Sequence, residues 1–391
     1  MFFVSLFFIF ISSFIVGSLL RKIKMPVFIG YIIIGIALSP YLLGLIDSKI
    51  LNISSELRTI ALIIILLRAG LTLNISDLKK IGRPAIFMCF LPATFELLAV
   101  GIFAPVFFEI SRVEAFLMGS VLGAVSPAVV VPRMIKMIED KKGTNKGIPQ
   151  LIMSGASLDD IFVILIFTSL LTIASGNSLS IMTFINVPIS VVLGVLVGLI
   201  VGIVMVRLFK KISINITEKV LILLMVSIGL YGLEQIVKEY VSFSSLIASM
   251  ALGIVILYKL KDIADLQLGF NKLWIAFEVF LFVLVGASVE VKYFFSNLLL
   301  GLLVVIIGLF FRSIGVIVSL LGTKYNFKEK IFIIISYLPK ATVQASIGPI
   351  ALSMGLPGGE LILSVAVIAI LITAPIGAIG IDFFSKKIID N

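Results

Sequence analysis

Runs of about twenty apolar residues follow one another along the whole chain, parted by short polar stretches. Thirteen are legible, at about 2–20, 27–44, 57–73, 82–108, 113–138, 147–174, 182–208, 217–237, 242–259, 272–291, 296–321, 330–353 and 360–384. A hydrocarbon layer about 30 Å thick needs about 20 apolar residues per helix, so each run has the length of a membrane span. The pattern predicts an all-α integral membrane protein with about 13 transmembrane helices and no long soluble segment.

Two of the runs carry helix-breaking sequence at membrane depth. The fifth contains Gly123-Ala124-Val125-Ser126-Pro127 and then Pro132; the twelfth contains Pro339-Lys340-Ala341-Thr342 and then Gly348-Pro349. Proline removes a backbone donor and clashes with the preceding turn. One such run alone reads equally well as a kinked helix. The two lie seven runs apart, an odd number, so they cross the membrane in opposite directions. That spacing predicts two inverted six-helix repeats, with the seventh run as connector. Matched broken helices in inverted repeats point to the binding site of a secondary transporter.

The chain has 391 residues, 60% of them hydrophobic and 13% charged, with a formal net charge of +10. The basic excess reflects topology and not nucleic-acid binding. Among loops after even-numbered runs only Lys49, Arg112, Lys238 and Lys292 are basic; the other loop lysines and arginines follow odd-numbered runs or lie in the tail. By the positive-inside rule the N-terminus lies outside, and Arg21, Lys22, Lys24 and the C-terminus are cytoplasmic. The first run, without a basic leader or cleavage site, reads as a retained anchor. Cys89 is the only cysteine and there is no histidine. This excludes disulfides within the chain, Cys/His metal sites and serine–histidine catalysis.

Against this apolar background a few charges stand out. Asp159 and Asp160 fall in the middle of the sixth run, Glu96 in the fourth, Arg312 in the eleventh and Lys340 in the twelfth. A charge at bilayer depth costs about 2.5–3.5 kcal/mol on insertion scales, which makes each a functional candidate. Three acids and two bases form two ion pairs and leave one carboxylate over. One proton or one monovalent cation can balance that charge, and competition between the two is the minimum requirement of an antiporter. Neighbouring helical residues point about 100° apart, so Asp159 and Asp160 suit different roles. Ser126, Thr342, Gln344 and Ser157 offer oxygens to a hard cation or caps for broken backbone. Arg58 opens the third run and reads as a snorkelling cation; Arg68, toward that run's cytoplasmic end, fits snorkelling and other roles equally, and Trp274 reads as an interface anchor.

The strings SPAVVVP, SGASLDDI and LPKATVQASIG resemble motifs of the cation/proton antiporter superfamily, in its NHA branch (solute carrier family 9, subfamily B, and bacterial relatives). The resemblance spans the whole chain and implies the NhaA-type fold with two crossing broken helices. Residues 1–81 and 212–295 would form a dimerisation bundle, 82–178 and 296–391 a core ion-transport bundle, and 179–211 the connector. It further implies Na⁺(Li⁺)/H⁺ exchange by an elevator-like alternating-access movement of a homodimer in the cell (inner or plasma) membrane. Lipid is the only other partner, and no cofactor is needed. Carried over by motif, Asp160 is the principal ion and proton carboxylate, Asp159 its partner, with Ser126 and Thr342 nearby. The implied ion pairs are Asp159–Lys340 and Glu96–Arg312.

Three other readings remain open at this point. A K⁺/H⁺ antiporter of the same superfamily is the nearest. A cation channel is a different class, against which buried ion pairs and inverted breaks argue. An intramembrane aspartyl protease needs acids on two facing helices, whereas adjacent Asp159 and Asp160 diverge.

Overall fold

The computed structural model describes residues 1–73, 82–175, 181–212, 214–237, 240–241 and 243–387. Among these all regular structure is helical. The first helices are α1 (Phe2–Lys22), α2 (Val27–Leu38), α3 (Ser48–Asn52), α4 (Ser54–Thr72), α5 (Arg83–Met88) and α6 (Leu91–Phe107). Then come α7 (Arg112–Leu122), α8 (Pro127–Glu139), α9 (Ile148–Ala174), α10 (Ile181–Lys211), α11 (Ile216–Val237) and α12 (Ser245–Lys259). The last are α13 (Ile263–Ala287), α14 (Val291–Ser296), α15 (Leu298–Ser319), α16 (Phe327–Ser336), α17 (Thr342–Ser353) and α18 (Gly359–Lys387).

Nine stretches among the described residues are long and apolar enough to cross a membrane. This is a coarser result than the thirteen spans expected. The difference has physical causes: α2 and α12 are apolar but short, α4 carries Glu56, Arg58 and Arg68, and the twelfth run is divided between α16 and α17.

The chain divides into two compact units, one of residues 1–55, 74–177 and 281–391, the other of residues 56–73 and 178–280. Residues 1–55 thus group with the first unit, whereas the expected division put 1–81 with 212–295. The expected boundaries near residues 81 and 178 lie outside the described residues.

In the first unit α2 packs against the end of α13 through bare glycines. A Cβ on Gly35 would lie 2.0 Å from the Val283 carbonyl oxygen, and one on Gly286 2.2 Å from that of Ile32. Phe28 stacks on Phe282 beside them, ring centroids 4.8 Å apart. The obstacle is backbone, which cannot swing aside like a side chain. Gly286→Ala is therefore expected to lower the melting temperature of the detergent-solubilised protein, costing at least the ~1–3 kcal/mol typical of overpacked cores. An unchanged melting curve would mean that the helices separate freely.

In the second unit α4 and α12 meet at Gly70 and Gly253 in the same manner. Two sequence readings change here. Trp274 is buried, with Arg68 lying over its ring at 5.3 Å, so it anchors a helix contact and not the membrane interface. Arg58 is likewise buried where a snorkelling role was expected.

Both broken runs begin alike. Ser111 caps α7, its hydroxyl accepting from Glu114 N while the Glu114 carboxylate accepts from Ser111 N. Asn326 and Glu329 make the same reciprocal box at the start of α16. Each box satisfies two otherwise orphaned N–H groups and fixes where a half-helix starts, and hence where it ends inside the first unit.

Candidate functional site

Helix α7 stops at Leu122 and α8 resumes at Pro127; α16 stops at Ser336 and α17 resumes at Thr342. The two non-helical stretches touch. Ser126 N donates to the Pro339 carbonyl at 2.8 Å. Gln344 Nε2 donates to the Ala124 carbonyl at 2.8 Å, and Gln344 Oε1 accepts from Ala341 N at 2.8 Å. Lys340 N donates to Thr373 Oγ1 at 2.8 Å. Breaking a helix frees backbone groups that cost free energy if buried alone, and here side chains and the opposite break take them up. Gln344 is therefore a backbone cap.

Arg312 sits where the two leading half-helices end. Its Nε donates to the Tyr337 carbonyl at 2.7 Å and its Nη1 to the Gly123 carbonyl. A cation at two helix C-termini meets the negative ends of both dipoles. The same guanidinium reaches two carboxylates: Nη1 donates to Glu96 Oε2 at 2.8 Å and Nη2 to Asp159 Oδ2 at 2.7 Å. Lys340 Nζ donates to Glu96 Oε2 at 2.6 Å. Glu96 arrives because α6 and α15 pack closely. A Cβ on Gly308 would lie 3.3 Å from Glu96 Cγ, and one on Gly315 2.7 Å from Pro92 Cα.

The charges thus form a chain, Lys340–Glu96–Arg312–Asp159, with every member at most 1% exposed. The expected Glu96–Arg312 pair is present. The expected Asp159–Lys340 pair is not: Lys340 goes to Glu96, and Arg312 serves both carboxylates. The planar five-donor fork of arginine permits this double duty, which one-to-one counting leaves out.

Asp159 Oδ2 also accepts from Val125 N at 2.9 Å, joining α9 to the first break. Asp160 is 1% exposed and its Oδ1 has no hydrogen-bond partner among the described residues. Asp159 Oδ1 and the Ser126 hydroxyl are likewise buried without partners. Oxygens of this kind suit a hard cation. Thr342 is buried at the first turn of α17, its carbonyl accepting from Ser346 Oγ. The Ser157 side chain lies outside the described residues. Among the described residues no group of three or more His, Cys, Asp or Glu side chains is placed to hold a metal ion. Sequence reasoning missed Thr373 and Tyr337, since neither carries a charge or breaks a helix.

The family model described as "Sodium/hydrogen exchanger, transmembrane" matches residues 8–387. The chain belongs to the sodium/hydrogen exchanger family. Sodium/hydrogen exchanger 9B1 of Mus musculus is 33% identical over 417 residues, covering 98% of this chain and 70% of the relative. Sodium/hydrogen exchanger 9B2 of Homo sapiens is 31% identical, covering 98% of this chain and 74% of the relative. The sodium proton antiporter MjNhaP1 from Methanocaldococcus jannaschii shares the fold, with a TM-score of 0.83 at 20% identity and 98% of each chain covered. This exchanger is accordingly a multi-pass membrane transporter and not an enzyme, which removes the protease reading. The ions of an exchanger are its substrates, and it needs no cofactor.

Proposed function

We propose that this chain exchanges Na⁺ or Li⁺ for H⁺ across a cell membrane, the cation and the proton competing for Asp160. One observation carries the reading. Glu96, Arg312, Asp159 and Lys340 join in one hydrogen-bonded chain, while Asp160, equally buried, makes no salt bridge among the described residues. A buried charge left alone costs several kcal/mol, so Asp160 is neutralised by a proton or by a cation. Asp159 Oδ1 and Ser126 Oγ, unsatisfied beside it in sequence or through the Val125 contact, are the further oxygens such a cation would take.

The finer picture is thirteen spans in two inverted repeats, with the N-terminus outside and the C-terminus in the cytoplasm. Residues 82–178 and 296–391 carry the ion by an elevator-like movement; 1–81 and 212–295 hold two copies together in lipid, joined through 179–211. The matching capping boxes of α7 and α16 support the repeat.

Everted vesicles with a pH-sensitive dye test the exchange. Adding Na⁺ or Li⁺ to energised vesicles is expected to release accumulated protons with saturating dependence on cation concentration. A response to K⁺ alone would assign K⁺/H⁺ exchange instead. Non-saturating current independent of the proton gradient would assign a channel. Silence toward all three ions would overturn the reading.

A further inference from the structure

Tyr337 is a large polar side chain at the site whose hydroxyl the ion pairs do not use. It follows α16 at the second break and is fully buried, yet its hydroxyl has no hydrogen-bond partner among the described residues. Tyr337 belongs to a buried cluster of otherwise apolar side chains, among them Met88, Ile152, Val316, Phe332 and Ile333. Burying a hydroxyl without a partner is unfavourable, and phenylalanine would fill the same volume without that cost. The oxygen therefore calls for a partner of its own.

Its position names one. A Cβ built on Gly155 would lie 1.8 Å from Tyr337 Oη, so the hydroxyl rests on the bare backbone of α9. Gly155 is four residues before Asp159, one helical turn, about 6 Å along the axis. Residues four apart share a helix face, and Cα–Cβ bonds tilt toward the helix N-terminus. Asp159 thus leans back toward the turn on which the Tyr337 oxygen sits. Asp159 Oδ2 is taken by Arg312 and Val125, whereas its Oδ1 is buried without a partner. The orphaned Tyr337 hydroxyl thus sits at Gly155, one turn before Asp159, whose Oδ1 is the orphaned acceptor. A single buried water meets the needs of both. The ring and carbonyl of Tyr337 meanwhile steady Arg312, whose guanidinium carbon lies 5.5 Å from the ring centroid.

We propose that Tyr337 is a positioning residue of the exchange site: its hydroxyl donates, through one bound water, to Asp159 Oδ1 and thereby sets how the aspartate pair divides between proton and cation. The inference rests on the exchange reading above and deepens it.

Tyr337→Phe is the test, in proteoliposomes of the full chain, with transport normalised to folded protein. A donor to a carboxylate favours its charged form. Without that donor, half-saturating Na⁺ is expected to rise several-fold and the rate–pH profile to move to higher pH. Melting temperature should change little, because Phe keeps the packing and one water-mediated hydrogen bond is all that is lost. Unaltered Na⁺ dependence and pH profile would overturn the proposal, as would a loss of transport that merely tracks the amount of folded protein. Gly155→Ala tests placement separately: it should destabilise the protein with Tyr337 present and much less in the Tyr337→Phe background. Equal losses in both would mean that Tyr337 does not rest on α9. Absence of Na⁺- or Li⁺-driven exchange in the unaltered protein would remove both readings, whereas normal exchange with an unaffected Tyr337→Phe removes the tyrosine's role alone.

Discussion

Vesicles carrying Asp160→Asn are expected to show no Na⁺- or Li⁺-driven proton flux above vesicles lacking the protein. Asparagine has nearly the shape of aspartate, so the packing around α9 is kept. What changes is the charge count. With Asp160 neutral, Glu96 and Asp159 face Arg312 and Lys340 alone, and the cluster is balanced without a proton or a cation. Removing an unpaired buried carboxylate also relieves a desolvation cost of several kcal/mol. The variant should therefore fold and melt at or above the temperature of the unaltered protein. Full loss of exchange in a well-folded variant separates this outcome from simple damage. Persistent Na⁺-dependent flux would move the exchanging charge to another residue.

The second large effect is on stability. Arg312→Met is expected to leave little monodisperse protein in detergent, read by size exclusion and by melting. Removing the guanidinium leaves Glu96 Oε2 to Lys340 and Asp159 Oδ2 to Val125 N, and takes the Arg312 donors from the carbonyls of Gly123 and Tyr337. Breaking one buried pair costs about 3–5 kcal/mol, and Arg312 holds two carboxylates. Folded domains are stable by only about 5–15 kcal/mol in all. Lysine at 312 keeps the charge but cannot span four acceptors on four segments of the chain, so partial recovery is expected. The exchange of signs Glu96→Arg with Arg312→Glu would restore an isolated pair. Here it should not: a glutamate at 312 faces Asp159, and an arginine at 96 faces Lys340. Recovery near that of the unaltered protein in Arg312→Met would mean that water solvates the cluster.

How far the site is legible in sequence follows from what each residue needs. Asp159, Asp160, Glu96, Arg312 and Lys340 announce themselves because a charge in an apolar run has no other explanation. The two breaks are legible from Pro127, Pro339 and the neighbouring small residues, and the half-helix starts from S-x-x-E at Ser111 and N-x-x-E at Asn326. The surplus charge follows from counting, and among the described residues Asp160 is the carboxylate of the three that makes no ion pair. The pairing itself is not legible, because partners on α6, α9 and α15 meet only through tertiary packing. Gly308 and Gly315 give no sign of which carboxylate they admit. Arg58 and Trp274 mislead for the converse reason: position near the end of a run suggests the interface, and packing within the second unit overrides it. Tyr337 leaves no trace in sequence, since an aromatic residue in an apolar run ordinarily just fills space.

The hydrogen bond from Ser126 N to the Pro339 carbonyl has a mechanical consequence. With Gln344 on Ala124, and Arg312 on both Gly123 and Tyr337, the crossing is stitched at several points by buried bonds. Sliding one broken helix along the other would open all of them together, at about 1–3 kcal/mol for each group left unsatisfied. The crossing therefore resists shear as a weld does. Under the exchange reading proposed above, the step that carries an ion bound at Asp160 from one side to the other is expected to carry both broken helices with it as one rigid cradle.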